Sequence, residues 1–512
     1  MKAAAQTPDD ALTLRGAVPS AGPREWAALT VLVLAVVLLA VDGTVLALAV
    51  PALTADLQPS AGELLWIGDA YGFALAGLLV LMGGLADRYG RKRVLLLGAA
   101  AFGSASAVAA FADDPATLIV ARAALGAAGA TLMPSTLSLI RNLFADPWQR
   151  TRAIALWSAG ASGGAVLGPL VGGLLLEHFW WGSVFLINLP VMVVLLVAGW
   201  LLLPESRDPR PGRLDVLGAV QSVVAVLGIV YAIKETVGHG ASAAAAVAAG
   251  AGVGALALFV RRQRRITDPL VDLRLFANRA FSGALGSQLI ALLALTGLLF
   301  FFSQYLQLVR GHSALEAGVR ELPLMLASLA VVVAVGPLVA RIGLGRAIGL
   351  GLAISAAGML ALAAAEALPG YAWLAVALLV LGCGFGLAFT LSTDAAVGAV
   401  EPQRAGTASA LSETSYELGA ALGIALLGSL QTVLYRVALP VDVGALAGGA
   451  VRESLARADE VLASDSALSV ARESFVSAMQ VTSVVAAGLL AVAAVTAWVV
   501  IPSTRVRSAH SD

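Results

Sequence analysis

Asp42 lies about two thirds of the way along an apolar run, 27–51, where a carboxylate can hold a cation or a proton and little else. An acid near the middle of a membrane helix costs roughly 2.5–3.5 kcal/mol to insert, so its retention points to function. The alternative is a position near enough to one interface to be hydrated, but mostly apolar residues follow it as far as Pro51. A second acidic site is written in Leu411–Gly423. There Glu413 and Glu417, four residues apart, share one helix face beside Tyr416, a spacing suited to proton exchange or to a cation. A hydrated place near the cytoplasmic entrance is the competing reading. Arg122, in Arg122–Gly129, is a guanidinium in an apolar stretch; it cannot shed its proton and needs an acid or backbone carbonyls as partners.

Asp69 follows Trp66 in Leu65-Trp66-Ile67-Gly68-Asp69-Ala70-Tyr71, at the outer end of a second apolar run, where a boundary residue and a functional acid read alike. Aromatic faces attract organic cations, which makes Trp66, Tyr71, Phe301, Tyr305 and Tyr416 candidate cation contacts. Trp66 and Tyr71 also suit the interface belt, and a lipid-facing cluster is the more frequent use of an aromatic run such as Phe300-Phe301-Phe302. Only four histidines occur, His178, His239, His312 and His510, all at span ends, in loops or in the tail, so no intramembrane metal site and no cofactor is expected.

Two glycine patterns carry conformational meaning. In Gly83-Gly84-Leu85-Ala86-Asp87-Arg88-Tyr89-Gly90-Arg91-Lys92-Arg93, Gly83 permits close helix approach and Gly90 a positive φ. The Asp87/Arg91 pair, beside Arg88, can lock the loop against a neighbouring helix end. Gly160, Gly164, Gly168 and Gly172 recur every four residues along one helix face, with Pro169 beside them. Tight packing explains the spacing, and the Gly168-Pro169 bend adds the expectation of a gate or hinge.

The elements that must carry these residues are membrane helices. The chain is 59% hydrophobic and 12% charged over 512 residues, with mean hydropathy +0.90. About fourteen windows of ~20 apolar residues can be laid down, with no strand alternation of the barrel kind. Their approximate limits are 27–50, 64–85, 94–112, 117–140, 153–176, 183–203, 214–235, 241–260, 281–308, 314–340, 345–366, 371–396, 405–430 and 477–501. Basic residues gather in alternate connections, Arg88 to Arg93, Arg141 to Arg152, Arg207 to Arg213, Arg261 to Arg279, Arg341 and Arg346, and Arg404, while the others hold little beyond Lys234, Arg310 and Arg320. That asymmetry puts both termini in the cytoplasm. Gly336–Gly343 repeats the Gly-x-Leu-x-x-Arg-x-Gly frame of the Gly83 loop, with Ala340 in place of Asp87. If the loops correspond, spans 1–6 and 9–14 are parallel repeats, the plan of transporters that rock two bundles about a central site.

The expected organisation is a cytoplasmic tail, 1–26; a six-helix bundle, 27–203; a linker with two inserted helices, 204–265; five helices of a second bundle, 266–430; an outer helical hairpin, 431–476; a last helix, 477–501; and a tail, 502–512. The basic patch Arg261-Arg262-Gln263-Arg264-Arg265 suits anionic lipid of the bilayer. Balanced charge argues against nucleic acid, and no obligate protein partner is evident. The lysines Lys2, Lys92 and Lys234 complete no phosphate-binding loop, which excludes an ATP-driven pump on this chain, and no His-Glu-x-x-His run or usable acid pair speaks for an enzyme.

The Gly83–Arg93 loop, the Arg122 segment and Gly164-x-x-x-Gly168-Pro169-x-x-Gly172-Gly173 resemble the signature motifs of the major facilitator superfamily, the last typical of its antiporters. Val41–Pro51 resembles the first-span motif of its fourteen-span drug:proton antiporters, with Ala47 where Asn is common; Leu65–Tyr71, Phe185–Pro190 and Tyr416–Gly419 are similar to bacterial exporters of quaternary ammonium compounds and methyl viologen. The resemblance implies an all-α polytopic protein of two six-helix bundles plus two inserted helices. It also implies export of lipophilic cations against protons in the inner membrane, with Asp42, Glu413 and Glu417 as carriers. Some relatives place an extra acid in span 10, where Leu324–Ser328 has none, which weakens a reading as a dication exporter. The rival within transport is a narrow-substrate exporter of one natural product.

Overall fold

In the computed structural model, residues 21–208, 214–267, 269–401, 405–462 and 464–502 are described. Arg210, Arg213 and Arg404, and most of both expected tails, lie outside the described residues. Among the described residues, thirteen helices are long and apolar enough to cross a membrane, and a bent pair makes a fourteenth span.

Helix ends follow local chemistry. The first span is α1 (Pro23–Leu57), followed by α2 (Ala61–Tyr89) and α3 (Arg91–Ala110). Ser60 accepts from the Glu63 N–H while Glu63 reaches back, a reciprocal box that starts α2. Asp114 caps α4 (Pro115–Leu143) and Asp146 caps α5 (Pro147–His178), each followed by a proline whose missing N–H costs nothing there. A short α6 (Ser183–Leu186) and α7 (Asn188–Leu202) complete the first bundle. The inserted pair is α8 (Val216–His239) and α9 (Ala243–Gln263).

The second bundle begins with α10 (Arg279–Gln304), which ends in a π turn at Tyr305–Val309. Next come α11 (Ala314–Ala330) and α12 (Val332–Ile342), bent by 46° as one broken span, then α13 (Leu344–Ala365) and α14 (Ala372–Gly398). The following span joins α15 (Ala405–Leu422), a π turn at Gly423–Leu427 and α16 (Gly428–Ala438). After α17 (Val441–Gly444), a 3-10 turn at Leu446–Arg452 and α18 (Leu455–Val461), the chain closes with α19 (Asp465–Val500).

Several expectations change. The segment expected as a helical hairpin over 431–476 is shorter, because α16 runs on to Ala438 and α19 starts at Asp465; short helical turns fill the gap. Hydropathy misses the extra turns because they carry polar groups that reach one another outside the hydrocarbon, as Arg472 reaches Asp459 at 3.1 Å. Phe300, Phe301, Phe302 and Tyr305 do not face lipid; they are 0–7% exposed, since Phe301 packs on Phe475 of α19 and the Tyr305 hydroxyl donates to the Glu366 carbonyl at 2.7 Å. Lys234 is not in a connection: it is buried in α8.

The glycine ridge joins helices of one bundle. A Cβ at Gly164 would stand 2.6 Å from the Val37 carbonyl, and Gly160, Gly168 and Gly172 meet Val33, Thr44 and Val45 in the same way, so the ridge seats α5 on α1. The cross-bundle contact lies beside it. A Cβ at Gly173 would stand 2.5 Å from Leu315 of α11, and one at Gly318 would strike the Pro169 carbonyl. On the other seam, Gly72 of α2 meets Ala421 of α15, and Gly68 meets Phe300 and Ile424. The cross-bundle contacts close the side away from the Gly90 loop. On the loop side the bundles splay: α12 has no buried residue, and a Cβ at Gly163 or Gly336 would have nothing within 4 Å.

Gly90 has φ +113° and Gly343 φ +83°, each at the N-cap of the next helix, α3 and α13. The two loops therefore do the same turning job in each bundle, as parallel repeats require.

Candidate functional site

Asp42 and Arg122 form a buried ion pair inside the first bundle. Arg122 Nη1 donates to Asp42 Oδ2 at 3.2 Å, and the two side chains, Arg122 and Asp42, are 3% and 0% exposed. Arg122 also donates Nε–H to the Ile67 carbonyl at 3.2 Å and lies 4.8 Å over the Tyr71 ring. Both partner types expected for a buried guanidinium are thus present. Asn188, at the start of α7, donates to Asp42 Oδ1 at 2.9 Å and to Ser106 Oγ at 3.0 Å. Asn188 stands in the Phe185–Pro190 run but is not among the expected site residues.

Asp69 is likewise neutralised. Lys234 Nζ lies 2.7 Å from Asp69 Oδ2 and 4.0 Å from the centre of the Trp66 ring. Hence the faces of Trp66, Tyr71 and Tyr305 are already taken by the protein's own cations, Lys234, Arg122 and Arg310, the last at 5.3 Å. Phe301 packs edge-on against Phe300 at 5.1 Å.

Glu413 and Glu417 differ. Ser412 donates to Gln288 at 2.8 Å, Ser415 to the Leu285 carbonyl at 3.0 Å, and Gly419 meets Leu289, so the 412/415/419 face of α15 is sewn to α10. The i, i+4 pair is turned off that face and is partly exposed towards the space between the bundles. No salt bridge to either carboxylate occurs among the described residues. Tyr416 between them meets Phe389 at 5.5 Å, and Phe389 stacks on Phe385 at 5.6 Å, a ladder of aromatic faces from α14 that no local sequence signal announces. Tyr71 ties the two sets together: it lies in the field of Asp42 and Arg122 from its own bundle and of Glu417 and Tyr416 from the other.

The Gly90 loop docks on the linker after α7. Asp87 and Arg91 pair at 2.8 Å, Arg91 donates its N–H to the Ser206 carbonyl at 2.8 Å, and Glu205 stands where a Gly90 side chain would go. Gly83 packs on Pro134 of α4, and Arg88 closes the last turn of α2. Among the described residues three further acids, Asp215, Glu321 and Glu366, are buried, and none is marked by the sequence. Glu321 of α11 is 4% exposed and lies one turn before the acid-free Leu324–Ser328; Glu366 is 2% exposed and accepts from Ser483 at 3.2 Å.

A sequence model of the Major Facilitator Superfamily matches residues 32–424. The chain belongs to the Major Facilitator Superfamily. As a member of the superfamily it is a multi-span membrane transporter and not an enzyme. It is 44% identical to the multidrug efflux pump LfrA of Mycolicibacterium smegmatis, over 92% of this chain and 95% of that one. It is 36% identical to the methyl viologen resistance protein SmvA of Salmonella typhimurium, over 93% and 98%. Among solved structures, a bacterial homologue of the human lysosomal transporter Spinster, in an inward-facing unoccupied conformation, matches with TM-score 0.64 at 18% identity, over 93% of this chain and 98% of that one. That likeness concerns the superfamily fold.

Proposed function

We propose that the chain exports lipophilic organic cations of the quaternary ammonium and dye type in exchange for protons, from the cytoplasmic membrane with both termini inside. One observation carries this reading. Glu413 and Glu417 are acids facing the inter-bundle space with no internal cation among the described residues, next to the Tyr416/Phe389/Phe385 ladder, whereas Asp42 and Asp69 are matched by Arg122 and Lys234. A hydrophobic cation needs that combination: a counter-charge and aromatic faces in a place water reaches poorly. A proton can occupy the same carboxylate when the cation leaves, so the two compete and their fluxes are coupled. The names of LfrA and SmvA support drug-like substrates. With the basic loops inside, the splayed side faces the cytoplasm, which is the loading side for an exporter.

The energetics suit the exchange. One monovalent cation for one proton moves no net charge, and each unit of ΔpH then supplies ~1.4 kcal/mol, about a tenfold gradient. With two protons the membrane potential adds ~2.3 kcal/mol per 100 mV. The test is transport by proteoliposomes loaded with ethidium under an imposed pH gradient. Gradient-driven ethidium movement supports the reading. Failure with ethidium and tetraphenylphosphonium alike, in vesicles shown to hold folded protein, would replace it with a narrow-substrate exporter.

A further inference from the structure

The inserted helices look dispensable to a two-bundle transporter, and α9 is largely exposed along its length. α8 is not. Its loop-side half lies along α2, where Gly77 meets Val223 and Gly84 meets Leu214. Further along, Val230 is 1% exposed and packs with Phe73 of α2 and with Ala421 and Ala425 of the second bundle. Thus α8 covers the α2/α15 seam at the height where Gly72 and Ala421 bring the bundles together.

Lys234 enters the protein one turn beyond Val230. Its ammonium is held by one carboxylate, Asp69, and one aromatic face, Trp66, in surroundings that leave the two charged side chains 0–4% exposed. The Trp66 ring is edge-on to Phe73 at 6.4 Å and packs in the same cluster as Leu418 and Leu422 of α15. Beyond their mutual 2.7 Å contact, neither the Asp69 carboxylate nor Lys234 Nζ finds a well-aligned side-chain partner, so the ammonium is held by one carboxylate and one ring face. A carboxylate and an indole around an alkylammonium make up a recognition site for organic ammonium ions. Here the alkylammonium is a side chain of the protein.

We propose that Trp66 and Asp69 form a second organic-cation subsite, and that Lys234 of the inserted helix is its tethered occupant, displaced when a substrate cation enters. The inference rests on the cation-export reading above and deepens it. Lys234 keeps Asp69 neutralised while no substrate is near, which an unpaired buried carboxylate could not be without a large penalty. Because the cage is walled by both bundles, parting α2 from α15 opens it. A substrate arriving there exchanges with Lys234 and adds no net charge to the buried site.

The test is equilibrium binding of tetraphenylphosphonium to the purified full-length protein, comparing wild type, Lys234→Met and the double variant Asp69→Asn/Lys234→Met. The proposal predicts about tenfold tighter binding, or a second bound equivalent, in Lys234→Met, with the gain lost in the double variant. Equal binding by wild type and Lys234→Met overturns the proposal while leaving the export reading standing. No binding by any of the proteins sinks both. Should Lys234→Met fail to fold, wild type decides. Lys2, Lys92 and Lys234 are its only lysines, so acylation of Lys234 relative to Lys92 can be followed by peptide mass. Faster labelling of Lys234 with tetraphenylphosphonium present supports displacement, and an unchanged rate refutes it.

Discussion

Arg122 reaches Asp42 across 3.2 Å from a different helix, and neither side chain is exposed by more than 3%. Breaking such a pair leaves a bare charge in a medium of low polarity, typically at about 3–5 kcal/mol. Arg122→Met is therefore expected to lower the melting temperature markedly in detergent, while Asp42→Leu/Arg122→Met recovers most of the loss. Intrinsic-fluorescence melts of the three proteins check it; equal melts for wild type and Arg122→Met would mean the pair is not closed.

The close-packing glycines of α5 and α11 divide by partner. Gly168→Leu would drive a side chain into Thr44 of α1 and should destabilise the first bundle itself, seen as a lower melting temperature and poor recovery. Gly318→Leu meets the Pro169 carbonyl across the bundles and should instead hold the far side open. Distances between spin labels on the far ends of α5 and α11 should lengthen in Gly318→Leu and stay unchanged in any folded Gly168→Leu.

Phe389 carries the middle of the aromatic ladder. Phe389→Ala is expected to weaken tetraphenylphosphonium binding by roughly three- to tenfold, with a smaller effect for Phe389→Tyr, in proportion to the ring face that remains. Unaltered affinity in a folded Phe389→Ala would move the cation away from this ladder.

Asp215 caps α8 on the loop side and is the anchor of the inserted pair. Burial opposes its ionisation, but the Gly218 N–H, the Arg262 guanidinium at 2.7 Å and the Gln263 amide together hold its carboxyl below the ordinary range. A depressed folded value means the stabilisation is complete above the unfolded value of about 3.9 and is lost as pH falls through the folded one. Asp215→Asn should thus melt lower than wild type by a constant margin from pH 8 to about 5, and the margin should shrink below about pH 4.

The sequence made the need for partners visible more readily than the partners. Arg122 in an apolar run demanded an acid, and Gly90 before a basic helix start implied the positive φ it has. Fourteen spans followed from hydropathy because lipid imposes one length on every helix. Asn188, Lys234, Phe385 and Phe389 stayed hidden, since each matters through a helix distant in the chain, and a polar group near a helix end reads alike whether it points to water or to Asp69. Glu321 and Glu366 were missed for the same reason. The limits of α16 and α19 failed because helices that leave the membrane keep their hydrogen bonds but lose their hydropathy.

If the uncompensated acids of α15 carry the exchanged charge, removing both should end coupled transport. Ethidium efflux from proteoliposomes under a pH gradient, by Glu413→Gln/Glu417→Gln beside wild type, measures this without intermediaries. Gradient-driven efflux by wild type and none above protein-free vesicles by the double variant is the expected result, at matched incorporation and similar melting temperature. Wild-type rates from the double variant would contradict it and return the coupling role to Asp42 and Asp69.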